Sequence, residues 1–213
     1  LATIDGNAQL GLMDLEPSHP LRESLEDIRI AVRRGRTLTD QMLAFSRRQV
    51  LEPEVLDLNE LLVDFKPMLD RMLGDSIRLT LERQSGLGKI FADPAQIRQV
   101  LIHLAAFSRD CMPDGGHLRI ETRNVQLERA DDADAEPGPY IRLTQQDDGR
   151  CLSEDELAHA FDPFYSNTSL TTSLGLGLAS VHGIVSQHEG MVQIAAAPEG
   201  GTTFHLTLPR VPD

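Results

Sequence analysis

Lysine is scarce in this chain. Of 20 basic residues, lysine appears only as Lys66 and Lys89, against 33 acidic residues and a formal net charge of −13. Affinity for a nucleic-acid backbone rests on clustered Lys and Arg, so this balance argues against a nucleic-acid partner and fits a solvated acidic surface. Cysteine is scarcer still. Cys111 and Cys151 stand too far apart for a local metal motif, and neither CxxC spacing nor a secretory signal is present, so reduced thiols in a cytoplasmic protein are expected. No apolar run approaches the roughly 18 residues that cross a bilayer, which excludes membrane contact by this stretch. No internal repeat is present. The chain opens on Leu1 rather than methionine, as expected of a fragment whose sensor module or anchor lies upstream.

What is present is a globular balance: 40% hydrophobic and 25% charged residues over 213 positions, enough for one ordinary domain and a smaller element. The first 50 residues read as two helices. Leu10, Leu12, Met13 and Leu15 give the first an apolar face, and Glu16-Pro17-Ser18-His19-Pro20 ends it. From Leu21, apolar residues at Leu25, Ile28, Val32, Leu38, Met42 and Phe45 mark one stripe of a long helix. Two antiparallel helices cannot bury such stripes alone, so pairing with a second copy through residues 1–50 is expected, the alternative being that the hairpin packs on its own second domain.

Pro53 ends helical continuity, and a second domain is expected over 54–213. Val55 and Leu56 read as a short strand. Leu58 to Leu73 is helical in pattern, with Pro67 expected to kink or split it. Alternation at Ile77, Leu79 and Leu81 gives a strand, and Ile90-Phe91 another. Asp93-Pro94 opens a helix to about Cys111, with Asp93 as N-cap and Pro94 in the first turn. Strands follow around Leu118 to Val125 and Tyr140 to Gln146. Ser153 with Glu156 forms a capping box for a short helix to about Ala160. Leu176 to Gln187 is helical, and Met191 to Ala195 with Thr203 to Leu208 closes the chain as a strand hairpin.

Six segments then fall in a telling order. They are residues 38–52 (LTDQMLAFSRRQVLE), residues 93–116 ending in Met-Pro-Asp-Gly-Gly, Asp147-Asp148-Gly149, Phe161-Asp162-Pro163-Phe164, Gly175-Leu176-Gly177-Leu178, and Gly200-Gly201-Thr202-Thr203-Phe204. Together the chain resembles the core of bacterial two-component sensor histidine kinases of the hybrid type. That resemblance implies an α+β fold: a dimerisation hairpin, four-helix in the dimer, followed by an α/β sandwich of the GHKL ATPase type. It implies ATP with Mg2+ as cofactors, a homodimer, and a response-regulator receiver domain as partner. The implied nucleotide-site residues are Asp147, Gly149, Phe161, Gly175, Gly177, Leu178 and Thr202. Asp147 matches the position that accepts a hydrogen bond from the adenine amino group, and Gly149 would let the backbone approach the base. Gly175 and Gly177 precede a helix whose first N–H groups can face phosphates. Each has a plainer reading too: a turn-capping Asp, a simple loop-to-helix entry, a phenylalanine that only packs.

The departures from the family pattern fall on the chemistry. Where the family carries two asparagines four apart, this chain has His103 and Phe107, and a phenylalanine offers no oxygen to magnesium. His103 could donate to a phosphate or be only a satisfied helix residue. Thr168 stands where close relatives carry a phosphate-contacting lysine. Cys151 and Ser173 replace glycines, with Cys151 expected to narrow the base pocket and Ser173 to stiffen the lid. No metal site of the usual kind is expected. The family's acceptor histidine lies upstream of the position matched by Leu1. The expectation is therefore a degenerate kinase core serving as a dimeric signalling or partner-binding module. The alternatives are a working autokinase and a histidine phosphotransferase on the same scaffold.

Overall fold

The computed structural model describes residues 1–16, 19–46, 51–128, 136–163, 165, 176–197 and 200–212. The chain divides into two compact units, Leu1–Val50 and Leu51–Asp213.

In the first unit, α1 (Ala2–Asp14) lies against α2 (Leu21–Ser46). The seam uses Ala8, Gly11, Leu12 and Leu15 on one helix and Arg22, Leu25, Arg29 and Val32 on the other, both at helical spacing. Gly11 lets the helices close up, since a β-carbon there would stand 3.1 Å from Leu25 Cδ1. The Arg22 guanidinium donates to the carbonyls of Leu12 (2.9 Å) and Leu15 (3.0 Å), taking up acceptors left free at the end of α1. Arg29 pairs with Asp5 at 3.0 Å. The expected apolar face of α1 therefore splits. Leu12 and Leu15 enter the seam, whereas Leu10 and Met13 are exposed at 60% and 75%, and Ile28 on α2 is exposed too. The side chains of Leu38, Met42 and Phe45 lie outside the described part of the structure.

The second unit is built on a five-stranded sheet in the order β2-β4-β5-β7-β6, comprising β2 (Ile77–Arg83), β4 (Gly116–Leu127), β5 (Gly138–Asp147), β7 (Thr202–Pro209) and β6 (Met191–Ala196). The β2–β4 pair is parallel and the rest antiparallel. A separate two-stranded ribbon joins β1 (Glu54–Leu56) to β3 (Ile90–Ala92). Helices α3 (Leu58–Leu73), α4 (Pro94–Cys111) and α6 (Gly177–Gln187) form the second layer, and α5 (Glu154–Ala158) is short. The core between the layers holds Leu62, Leu69, Val100, Leu104, Val181 and Val185 from the helices, with Leu118, Ile120, Ile141 and Phe204 from the strands. Strand alternation places polar residues on the other face, where Thr80 meets His117 (2.7 Å), Arg119 donates to Gln146 (3.0 Å), and Thr144 meets His205 (3.1 Å). This is the α+β architecture expected.

Local signals explain the helix ends. Asp57 accepts from the N–H groups of Asn59 and Glu60, Asp93 from those of Ala95 and Gln96, and the Ser153–Glu156 capping box forms in full. Pro67 does not split its helix: α3 runs unbroken from Leu58 to Leu73. Pro67 and Val63, whose carbonyl loses its donor, are both exposed, so water can take that acceptor.

Candidate nucleotide site

Asp147 ends β5 and is 1% exposed. Its Oδ1 accepts the backbone N–H of Gly149 (3.1 Å) and of Thr202 on β7 (3.1 Å), and its Oδ2 accepts the Ser108 hydroxyl from α4 (2.7 Å). Burial pushes its carboxyl above the ordinary aspartate value, the Ser108, Gly149 and Thr202 donors oppose that rise, and neighbouring Asp148 adds to it. A carboxylate offers about four lone-pair sites, so one acceptor site remains, on Oδ2. Thr202, whose backbone N–H reaches Asp147 Oδ1, also carries a buried hydroxyl with no hydrogen-bond partner among the described residues. Buried polar atoms are normally paired, so an unpaired hydroxyl on a residue bonded to the carboxylate fits a polar group arriving from outside the chain. The turn-capping role of Asp147 holds at the same time, through Gly149 and Thr202.

Two glycines bring these strands together. At Gly201 φ is +88° and a β-carbon would overlap the Asp147 carbonyl. At Gly149 a β-carbon would stand 2.6 Å from the Cys111 carbonyl oxygen, which accepts the Arg150 N–H at 3.0 Å. The lack of a side chain at Gly149 thus serves close packing on the end of α4. Beyond it, Arg150 grips Glu156 with two hydrogen bonds of 3.1 and 2.8 Å, and Glu156 also accepts the Ser153 N–H at 2.8 Å. The Arg150 guanidinium and then the Ser153 N–H hold the Glu156 carboxyl down at about 2. Cys111 is buried, and burial together with Asp147 pushes its thiol to about 12. Cys151 is exposed.

The positions of the family's asparagines face differently. Phe107 is turned to the core, edge-on to Phe204, with ring centroids 5.3 Å apart and planes at 90°. His103 lies against the start of α6, where a β-carbon on Gly177 would come within 3.4 Å of its Nδ1. Burial lowers its pKa, which disfavours the imidazolium form. Leu178 packs half-buried against the core, and Phe161 stacks at a tilt on His182 of α6, centroids 5.8 Å apart. Phe164, Thr168, Ser173 and Gly175 lie outside the described residues. The structure thus brings Asp147, Gly149 and Thr202 together with Ser108, which the sequence reading missed, while Phe161, Gly177, Leu178 and His103 gather around α6. The residues present fit an adenine edge. At the position of the family's metal-holding asparagine, Phe107 supplies no oxygen that fits magnesium.

A fold of this order, with a carboxylate at this strand end, defines an ATPase-type domain, and comparisons agree. The family model described as "Histidine kinase-, DNA gyrase B-, and HSP90-like ATPase" matches residues 92–212, and the chain belongs to that family. Proteins it is similar to include sensor kinases. It is similar to the sensor kinase CckA of Brucella abortus, at 35% identity over 216 residues, covering 99% of this chain and 23% of that protein. Sporulation kinase E of Bacillus subtilis is 25% identical over 179 residues, covering 84% of this chain and 22% of that protein. The chain therefore spans less than a quarter of the length of these two relatives. Among solved structures, full-length ShkA in complex with AMPPNP matches with a TM-score of 0.66 at 20% identity, over 100% of this chain and 44% of that one. Histidine kinase ThkA in complex with response regulator TrrA matches with a TM-score of 0.65 at 22% identity, over 99% and 58%. Among the described residues no helix is long and apolar enough to cross a membrane.

Proposed function

We propose that this chain is a degenerate histidine kinase core that holds an adenine nucleotide weakly, without magnesium, and works as a dimeric signalling or partner-binding module. The observation that carries this reading is Phe107, packed on Phe204 where the family's metal-holding asparagine belongs. Transfer of a phosphoryl group depends on positioning and on charge at the phosphates. A chain with phenylalanine at the cation position, threonine at 168 and a His103 whose charged form is disfavoured keeps the base end of the site and loses the phosphate end.

On this reading Asp147 and Thr202 hold the base, residues 54–213 form the nucleotide-binding domain, and residues 1–50 form the dimer. The exposed Ile4, Leu10, Met13 and Ile28 supply apolar surface for a second hairpin. A receiver domain is the partner, by analogy with the ThkA–TrrA complex. The test is calorimetric titration of the chain with ATP, with and without Mg2+. Weak binding indifferent to magnesium is expected, and micromolar magnesium-dependent binding overturns the reading in favour of a working autokinase.

A further inference from the structure

The inward face of β5 runs Ile141, Leu143, Gln145, Asp147, so a polar chain begins one step below the carboxylate. Gln145 is 0% exposed and sits opposite Phe204 in the β5–β7 register. Its Nε2 donates to Ser108 Oγ at 3.1 Å, and Ser108, also 0% exposed, donates its hydroxyl to Asp147 Oδ2 at 2.7 Å. The direction is forced. An ionised carboxylate only accepts, so the single serine proton goes to Asp147 and the serine oxygen becomes an acceptor. Gln145 must then present its amide N–H, and its Oε1 is left buried with no partner among the described residues. An apolar residue at this place would leave no such orphan, so the glutamine has a task other than packing.

We propose that Ser108 and Gln145 are positioning residues for Asp147: their donor chain holds Oδ2 in place as a charged acceptor and directs its remaining lone pair toward the amino group of an adenine. This rests on the base-site reading above. The groups around the carboxylate do not supply the same control. Asp148 beside it is a like charge, and Thr202 on β7 is uncharged. The Cys111 thiol on α4 stays neutral, with Arg150, Asp110 and Glu156 acting on it. Among residues 177–187 of α6 the one titratable side chain is His182, which is engaged with Phe161.

The experiment is a carboxyl-carbon NMR titration of Asp147 in the full chain, unliganded, for wild type, S108A, S108T and Q145L. ATP calorimetry without Mg2+ at pH 6 and pH 8 accompanies it. S108A is expected to raise the Asp147 midpoint by about one pH unit, because a donor to the charged form is lost. ATP affinity of S108A should then fall further below wild type at pH 6 than at pH 8, as the acceptor becomes protonated. S108T restores both, and Q145L raises the midpoint by less. An S108A midpoint equal to wild type overturns the proposal, as does an affinity loss equal at both pH values and not rescued by S108T. If S108A does not fold, Q145L decides, and an unchanged midpoint there overturns it. Wild-type chain that binds no ATP at either pH overturns the base-site reading alone, which the unliganded titration does not need.

Discussion

Phe107 and Phe204 meet edge to face across the α4–β7 interface, and this contact stands where the kinase family places a metal-holding side chain. The contact sets stability against function. Phe107→Ala removes a half-buried ring from a packed site and is expected to cost about 3 kcal/mol in urea unfolding. Phe107→Asn should cost a similar amount while returning an oxygen to the cation position. Combined with Thr168→Lys, it is expected to gain magnesium-dependent ATP affinity in calorimetry. A double variant that remains folded and still ignores magnesium places the defect elsewhere, at Cys151 and Ser173.

The Arg150–Glu156–Ser153 clamp predicts an acid limb. Glu156 has its carboxyl held at about 2, against an ordinary value of 4.5, first by Arg150. Because the folded-state value is depressed, the stabilisation is present above pH 4.5 and is lost as pH falls toward 2. Arg150 is about one-third exposed, at 34%, so screening reduces the contribution to roughly 2 kcal/mol. Glu156→Gln keeps the capping geometry but not the charge. Thermal unfolding of the variant between pH 5 and pH 3 should be flatter than that of wild type. A parallel decline in both excludes the clamp as the origin.

Gly200 and Gly201 are neighbours with different reasons for being glycine, and their alanine variants should separate. Gly200 has φ of +102° with nothing near its missing side chain, so Gly200→Ala carries a backbone cost of about 1 kcal/mol. Gly201→Ala drives a β-carbon into the Asp147 carbonyl and displaces the Thr202 N–H from the carboxylate. About 3 kcal/mol or more is expected there, with loss of ATP binding. Equal effects of the two variants would mean that the strand end relaxes around the added carbon.

Much of the fold was legible because its signals are local. Asp57, Asp93 and Ser153 announce their helices within three residues, and Ile77, Leu79 and Leu81 alternate as strand residues do. The antiparallel pairing of β1 with β3 was not legible, since Glu54 and Ala92 are distant in the chain. The small residues of the hairpin seam were not legible, because hydrophobicity alone hides their role, and Ala8 with Gly11 makes the close contact. Asp147 and Thr202 carried motif signals. Ser108 and Gln145 did not, although Gln145 left one trace: a polar residue on the inward phase of an otherwise apolar strand.

His188 joins the end of α6 to the start of α4 and predicts a single tautomer. Its Nε2 lies 3.0 Å from the Asp93 backbone N–H, which can only donate, and its Nδ1 lies 2.8 Å from the Ile184 carbonyl, which can only accept. The proton must therefore reside on Nδ1, and the ring is neutral while both bonds stand. Nitrogen-15 NMR of the imidazole is expected to show a protonated Nδ1 and a bare Nε2. His188→Ala leaves the Asp93 N–H and the Ile184 carbonyl without these partners and should cost roughly 2–3 kcal/mol. His188→Gln can donate to one and accept from the other only by spanning the same gap, so it should recover part of that loss. The Nε2-protonated tautomer in the folded chain would show that the α4–α6 junction is held in some other way.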